Sequence, residues 1–131
     1  MILLDTHVVF WMASKPERLS REAQRAIAKA AGREGLAISS ISLWELALLI
    51  ARGRIGVPGS TEGFLKEICQ RSGLVVLDIT PEIAALAFHA PPDFPNDPAD
   101  RLISATARAH GLRLVTKDQY MQDSPLLRTI W

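Results

Sequence analysis

Short apolar segments alternate along the chain with longer segments in which apolar residues recur every three or four positions. The short segments, typical of buried strands, are Ile2–Leu4, Leu36–Ile38, Leu74–Leu77, Leu112–Val115 and a last one at Ile130 and Trp131. The longer segments predict helices over Leu19–Arg33, Ser42–Arg52, Thr61–Arg71, from Thr80 onward, and over Asp97–His110. Continuous apolar strands that alternate with helices indicate a parallel sheet covered on both faces. The sequence therefore predicts an α/β fold, a three-layer α/β/α sandwich with a central parallel sheet.

Length and composition limit the remaining possibilities. The 131 residues are enough for one domain and too few for two, so we expect a single domain over residues 1–131. The formal net charge of +1 means that any nucleic-acid partner must be recognised by a local patch. The one cysteine, Cys69, cannot form an internal disulfide, and no Cys/His cluster has the spacing of a zinc site.

Nothing in the sequence predicts contact with a membrane. No charge-free run approaches the ~20 residues needed to span a bilayer. The first residues have no basic region, and Asp5 lies among their apolar positions, unlike a secretory signal peptide. We expect a cytoplasmic protein.

Four acidic residues are expected at one edge of the predicted sheet. In a parallel sheet with right-handed crossovers, the carboxyl ends of the strands share an edge, and ligands bind in the crevice outside it. Asp5 ends the first strand and Asp118 follows the fourth, whereas Glu45 and Asp100 lie in the first turns of predicted helices. The topology therefore brings together acids that are far apart in sequence.

Each of these acids also has a structural explanation. The segments 42–45 (Ser-x-x-Glu) and 97–100 (Asp-Pro-Ala-Asp) have the pattern of helix capping boxes. Asp118 could favour the dipole of a following helix. Asp5 has such an explanation only if it caps the helix that follows it.

Converging carboxylates predict a bound cation, because without one at least one of them would take up a proton. A set of oxygen donors without His or Cys favours Mg²⁺ or Mn²⁺ over zinc. Such an ion can lower the pKa of a bound water and stabilise charge on a phosphodiester under attack. We therefore expect Mg²⁺ (or Mn²⁺) at this edge of the sheet.

The segments that carry the acids together resemble the PIN-domain ribonucleases, and in particular the VapC-type toxins of bacterial toxin–antitoxin pairs. These segments are Leu3–His7, Ser39–Glu45, Asn96–Ile103 and Leu114–Asp118, and their order and separation match the family over essentially the whole chain. The resemblance implies a PIN-like α/β/α sandwich, Mg²⁺- or Mn²⁺-dependent cleavage of RNA, a homodimer, and a cognate antitoxin protein that blocks the site.

Carried over by position, the resemblance implies a role for individual residues. The catalytic set is Asp5, Glu45, Asp100 and Asp118, with Asp5, Asp100 and Asp118 as metal ligands and Asp97, Thr116, Thr6 and Ser42 in support. A metal-activated water held by these carboxylates would hydrolyse the RNA phosphodiester and leave 5′-phosphate and 3′-hydroxyl ends. Many relatives have another acid just after the position of Asp118, where this chain has Gln119 and Tyr120. This departure leaves the number of metal ions open.

Basic residues recur at spacings of three and four on the first long helix. They are Arg18, Arg21, Arg25, Lys29 and Arg33. The stripe is either a solvated helix face or a path for RNA phosphates toward the acids, in which Arg21, Arg25 and Lys29 would contact RNA. Arg101 is a further candidate for a phosphate contact, or else the partner of a nearby acid.

Trp11, Met12, Trp44 and Leu48 are consistent either with core positions or with a groove for an antitoxin helix. Their helical spacing favours the core.

Two other functions stay open. A phosphotransfer or phosphatase domain on a doubly wound fold needs a second acid close to the one that ends the first strand. Here Asp5 is followed by Thr6 and His7, which counts against that chemistry. A catalytically silent PIN-like binding module would use the acids only as helix caps.

Overall fold

Five strands form one parallel sheet in the computed structural model, which describes residues 1–131. They are β1 (Ile2–Leu4), β2 (Leu36–Ser39), β3 (Leu74–Leu77), β4 (Arg113–Val115) and β5 (Thr129–Ile130). Their order across the sheet is β3-β2-β1-β4-β5, with every neighbouring pair parallel. The central strand β1 is at most 1% exposed at every residue, which explains why it is apolar at consecutive positions.

Seven helices connect the strands and cover both faces of the sheet. They are α1 (Thr6–Ser14), α2 (Arg21–Ala31), α3 (Ser40–Ala51), α4 (Thr61–Arg71), α5 (Pro81–Phe88), α6 (Pro98–His110) and α7 (Gln119–Asp123), with a 3-10 turn at Pro16–Arg18. Ile2 and Leu4 of β1 pack with side chains from α1, α2, α3 and α4. Leu3 packs on the other face with side chains from α6 and α7. The prediction of a three-layer α/β/α sandwich is confirmed.

Most helix ends lie where the capping residues predict them. The Ser20 hydroxyl accepts from Ala23 N at the start of α2, and the Thr80 hydroxyl accepts from Ile83 N at the start of α5. Gly111 ends α6 with a φ of +65°, a left-handed conformation that favours glycine.

The start of α3 differs from the prediction. The side chain of Ser39 accepts from Ile41 N, so the helix begins at Ser40 instead of Ser42. Ser42 is therefore inside the helix, and the capping box predicted for segment 42–45 is wrong. Its hydroxyl is directed to a different partner, described below.

Two helices were not assigned from the sequence. In α1, Val8 and Val9 are fully buried and Trp11 is nearly so, which leaves little of the apolar–polar periodicity that reveals a helix. α7 has only five residues, too few for a periodic pattern. None of the helices combines the length and apolar composition needed to cross a bilayer.

Candidate active site

The carboxyl-terminal edge of the sheet collects polar residues from four separate parts of the chain. The edge lies where β1, β2 and β4 end. Asp5 and Thr6 follow β1, Ser42 and Glu45 come from α3 after β2, and Thr116 and Asp118 follow β4, while Asp97 and Asp100 come from the start of α6. Because the strands are parallel, these helix starts face the same crevice.

Asp5 lies at the bottom of this crevice and is 7% exposed. Its Oδ1 accepts from Thr6 N at 2.7 Å, so Asp5 caps α1, and its Oδ2 accepts from the Thr116 hydroxyl at 2.7 Å. Burial raises the pKa of Asp5, and the hydrogen bonds from Thr116 and Thr6 counteract only part of that rise. A buried carboxyl in this position favours a proton or a cation.

Glu45 is held against Asp5 by the residue that follows Asp5. The Thr6 hydroxyl donates to Glu45 Oε1 and lies 2.9 Å from the Ser42 hydroxyl. Burial raises the pKa of Glu45, and repulsion by Asp5 and Asp97 adds to the effect. The structure therefore gives Ser42 a contact within the site in place of the predicted cap.

Asp100 shows most clearly that the acids are close together. Its pKa is raised from 3.8 to about 7, first by burial and then by the negative charges of four carboxyl groups. Those groups belong to Asp5, Asp97, Asp118 and Glu45. The three ion pairs of the chain all lie elsewhere, and the charge of His7 opposes only part of the rise in the pKa values of Asp5 and Glu45.

Asp118 and Asp97 cap the helices that follow them, as the sequence predicted. Asp118 Oδ1 accepts from Met121 N at 3.0 Å, while the backbone N–H of Asp118 donates to the Thr116 hydroxyl at 3.0 Å. Asp97 Oδ1 accepts from Ala99 N at 2.8 Å and from Asp100 N at 3.2 Å. Capping and a place in the crevice are therefore compatible roles for these acids.

The side chains of the crevice supply oxygen donors for a divalent cation. No group of three or more His, Cys, Asp or Glu side chains is arranged so that together they could hold a metal ion. The crevice does contain several carboxylates without a cationic partner, and the pKa values of Asp5, Glu45 and Asp100 are raised. Mg²⁺ keeps several waters and is usually bound through one or two carboxylates. The residues therefore fit a largely hydrated Mg²⁺ or Mn²⁺.

The candidate RNA-binding residues lie in different surroundings. Arg21, Arg25 and Lys29 are exposed along α2. Arg25 and Lys29 share a shallow cavity with Glu34, which pairs with the amino terminus at the opposite edge of the sheet. The stripe thus leads away from the acids in its Arg25–Lys29 part.

Arg101 is engaged by the connection between α5 and α6. Its guanidinium donates to Ala87 O at 3.0 Å, to Ala90 O at 3.3 Å and to Asn96 Oδ1 at 3.5 Å. It forms no ion pair with an acid.

The predicted core positions are only partly confirmed. Trp11 is 8% exposed and its ring lies 6.0 Å from that of Trp131, whereas Met12 and Leu48 are half-buried. Trp44 is 59% exposed, so the prediction that it is a core residue is wrong. Its neighbours Ser42 and Leu46 face inward, which leaves the indole on the outer side of α3.

Two arginines beside the site were not singled out from the sequence. Arg52 and Arg54 line a cavity of about 240 Å³ together with Thr6, His7 and Glu45. Glu45 and Arg52 are seven residues apart on α3, a spacing that places both on one helix face. That spacing is a sequence signal that could have identified Arg52.

Comparisons with known proteins agree with the geometry. The family model of the PIN domain matches residues 2–124. The chain is 42% identical over 132 aligned residues to Ribonuclease VapC22 of Mycobacterium tuberculosis, covering 99% of this chain and 98% of that protein.

Solved structures show the same fold. VapBC2 of Rickettsia felis, bound to a DNA fragment from its promoter, has a TM-score of 0.71 and 20% identity over 98% of this chain and 97% of its own. A toxin–antitoxin complex from Klebsiella pneumoniae has a TM-score of 0.65 and 20% identity over 97% of this chain and 95% of its own. On the family match and the identity to its sequence relative, the chain belongs to the PIN-domain family and, within it, to the VapC type.

Proposed function

We propose that this protein is a metal-dependent endoribonuclease that acts as the toxin of a toxin–antitoxin pair. One observation carries the proposal. Burial and the negative charges of Asp5, Glu45, Asp97 and Asp118 raise the pKa of Asp100 to about 7, and no basic side chain forms an ion pair with any of these acids. The name of the relative, a ribonuclease, supports RNA as the substrate, and the family match supports a nuclease over a phosphotransfer domain.

Asp5, Asp100 and Asp118 are proposed to surround Mg²⁺ or Mn²⁺, with one or two of them binding the ion directly and the rest binding it through coordinated water. When bound, such an ion lowers the pKa of a coordinated water and stabilises the negative charge that develops on the phosphodiester. The side chains present supply only oxygen ligands, which is the preference of both ions. Whether one ion or two bind depends on how much of the carboxylate charge remains to be neutralised.

The remaining groups position the carboxylates for hydrolysis. The Thr116 hydroxyl donates to one oxygen of Asp5 and accepts from the backbone N–H of Asp118, so it fixes the position of the two acids relative to each other. The Thr6 hydroxyl orients Glu45, whose raised pKa suits a group that accepts a proton from the attacking water. Asp97 orients Asp100 by binding its backbone N–H.

RNA is proposed to approach over the exposed basic residues of α2, with Arg21 nearest the acids and Arg25 and Lys29 as more distant contacts. Their exposure leaves them free to bind phosphates and to lower the repulsion between RNA and the acids. Arg101 is a weaker candidate for RNA contact, because its guanidinium already donates to two backbone carbonyls.

The proposed protein partners are a cognate antitoxin and a second copy of this chain. The Klebsiella pneumoniae neighbour was solved as a toxin–antitoxin complex, which supports an antitoxin. Trp44, Phe88 and Tyr120 are 59%, 78% and 72% exposed, and exposed aromatic side chains are typical of protein interfaces. We place the activity in the cytoplasm, where RNA substrates are available.

Expression of the wild type and of two variants in a bacterium tests the proposal. Asp5→Asn removes a carboxylate from the crevice. Asp78→Asn removes an exposed one that follows β3 at the same edge of the sheet and does not contribute to the raised pKa of Asp100. We expect growth arrest and discrete RNA fragments with the wild type and with Asp78→Asn, and neither with Asp5→Asn. Equal RNA integrity and growth in all three strains would refute the nuclease, and would favour a silent binding module.

A further inference from the structure

A cavity next to the crevice combines one acid of the site, Glu45, with two arginines. Its volume is about 240 Å³, and Thr6, His7 and Glu45 form the side nearest Asp5. Arg52 and Arg54 line the same cavity. Arg52 follows Glu45 by two helical turns, which is about 10 Å along the axis of α3. The cavity therefore runs from the crevice to a positively charged end.

The backbone holds both arginines at a defined place. Arg52 N donates to Leu48 O and Arg54 N donates to Leu49 O, each at 2.9 Å, so the chain closes tightly over the end of α3. Gly53 lies between them with a φ of +69°, which permits this turn. Ile55 is 7% exposed and anchors the following residue in the core. The turn is thus attached to the fold on both sides.

Neither guanidinium is used by the protein itself. Arg52 and Arg54 form none of the ion pairs of the chain, and no side-chain hydrogen bond involves either of them. The backbone bonds of the turn need only their N–H groups, so any residue could make them. Two unpaired arginines in one cavity are therefore available to a ligand.

We propose that this cavity binds a backbone phosphate of RNA adjacent to the scissile one, with Arg52 and Arg54 as its ligands. This inference rests on the proposed ribonuclease function and assigns it a second contact, separate from the basic stripe on α2. A carboxylate cluster repels RNA, and a guanidinium pair two turns away offsets that repulsion without neutralising the acids themselves. Planar guanidinium groups match phosphate oxygens well.

The size of the cavity favours part of a chain over a free ligand. Pockets for whole small molecules measure ~300–1,000 Å³, more than the volume found here. One phosphate with its sugar, as part of an RNA strand that crosses the crevice, requires a smaller volume. Contacts to phosphate carry no base information, so the cavity is expected to contribute affinity and register but not sequence preference.

Binding can be measured separately from cleavage. In the Asp5→Asn background with EDTA, fluorescence anisotropy of a labelled single-stranded RNA oligonucleotide reports affinity alone. Arg52→Gln/Arg54→Gln removes both guanidinium groups. The control Arg108→Gln/Arg113→Gln removes the same charge near the end of α6 and at the start of β4, at the opposite edge of the sheet, from two arginines that also form no ion pair.

We expect the Arg52/Arg54 double variant to bind the oligonucleotide roughly tenfold more weakly than the control variant. The slope of log affinity against log salt should fall in magnitude by ~0.7, the value for one phosphate contact on a single strand. Arg52→Lys/Arg54→Lys should restore the slope but only part of the affinity. Unfolding temperatures should be unchanged, because the side chains removed are exposed and form no hydrogen bond or ion pair in the folded protein.

Equal affinity and equal salt slope in the two double variants would overturn the cavity assignment. The two single variants, Arg52→Gln and Arg54→Gln, answer the same question if the double variant fails to fold. In the Asp5-containing enzyme, we expect a raised KM and an unchanged kcat. If the wild type does not cleave RNA but the Arg52/Arg54 variant still loses affinity, the proposed ribonuclease fails and the phosphate site stands. If the wild type cleaves RNA and the arginine substitutions leave RNA affinity unchanged, the phosphate site fails and the proposed ribonuclease stands.

Discussion

Replacing Asp100 by Asn should stabilise the metal-free protein at neutral and alkaline pH. The side chain of Asp100 accepts no hydrogen bond, while its backbone N–H keeps its bond to Asp97. The substitution thus removes a charge without removing a contact. The rise of the Asp100 pKa from 3.8 to about 7 corresponds to about 4 kcal/mol for a fully shielded group. Asp100 is partly exposed, and solvent screening reduces this to ~2 kcal/mol.

The gain should depend on pH in a defined direction. A raised pKa means that the folded protein keeps a proton which the unfolded chain has already released, so rising pH destabilises the folded state through this group. The loss of folding stability through Asp100 begins near pH 4 and is complete above about pH 7. Asp100→Asn should therefore match the wild type at pH 4 and exceed its unfolding temperature by roughly 7 °C at pH 8.

Thermal unfolding in EDTA across this pH range, followed by circular dichroism, measures the difference. Asp78→Asn is the matched control, because Asp78 is exposed at the same sheet edge, makes no side-chain hydrogen bond and adds nothing to the raised pKa of Asp100. Its unfolding temperature should follow the wild type throughout. The reasoning is refuted if Asp100→Asn is no more stable than the wild type at pH 8. A gain of the same size at pH 4 and pH 8 would equally exclude the ionisation of Asp100 among buried carboxylates as its cause.

Three further predictions concern the same edge of the sheet. Mg²⁺ at ~100 times its Kd should raise the free energy of unfolding of the wild type by about 2.7 kcal/mol, as measured in a denaturant titration. The same concentration should stabilise Asp100→Asn much less. Equal stabilisation of the two proteins would contradict a metal site at the acids. Thr116→Val should cost ~2–3 kcal/mol in the same titration, because it removes the donor to Asp5 and the acceptor for Asp118 N, whereas Thr116→Ser should cost much less. Arg101→Ala should lower stability by about 1–2 kcal/mol and leave RNA affinity intact; weaker RNA binding at unchanged stability would show that Arg101 contacts RNA instead.

The fold could be predicted from the sequence because its strands are buried on both faces. Such strands are apolar at consecutive positions, so Ile2–Leu4 is recognisable although it is only three residues long. Helix starts could be predicted from capping residues such as Ser20 and Thr80, because their side chains accept hydrogen bonds from specific backbone N–H groups. α1 escaped prediction because a helix buried on most sides loses its polar stripe.

The site could be predicted only as far as topology determines it. Parallel strands bring Asp5 and Asp118 to one edge of the sheet regardless of their side-chain conformations, so their proximity could be predicted from the sequence. The contact between Thr6 and Glu45 depends on where α3 begins, and a shift of two residues changes which side chains face the crevice. The exposure of Trp44 depends on the same start.

The structure also shows that capping and a role in the site are not competing explanations for the acids. Asp5, Asp97 and Asp118 each accept an N–H at the start of a helix, so the three helix starts face the crevice with their positive ends. Each cap contributes about 1 kcal/mol, which offsets part of the repulsion among the carboxylates. Capping also fixes one oxygen of each group and thereby orients the other. A fold that gathers acids as caps can therefore keep them aligned for a cation, at a cost that is seen in the raised pKa values of Asp5, Glu45 and Asp100.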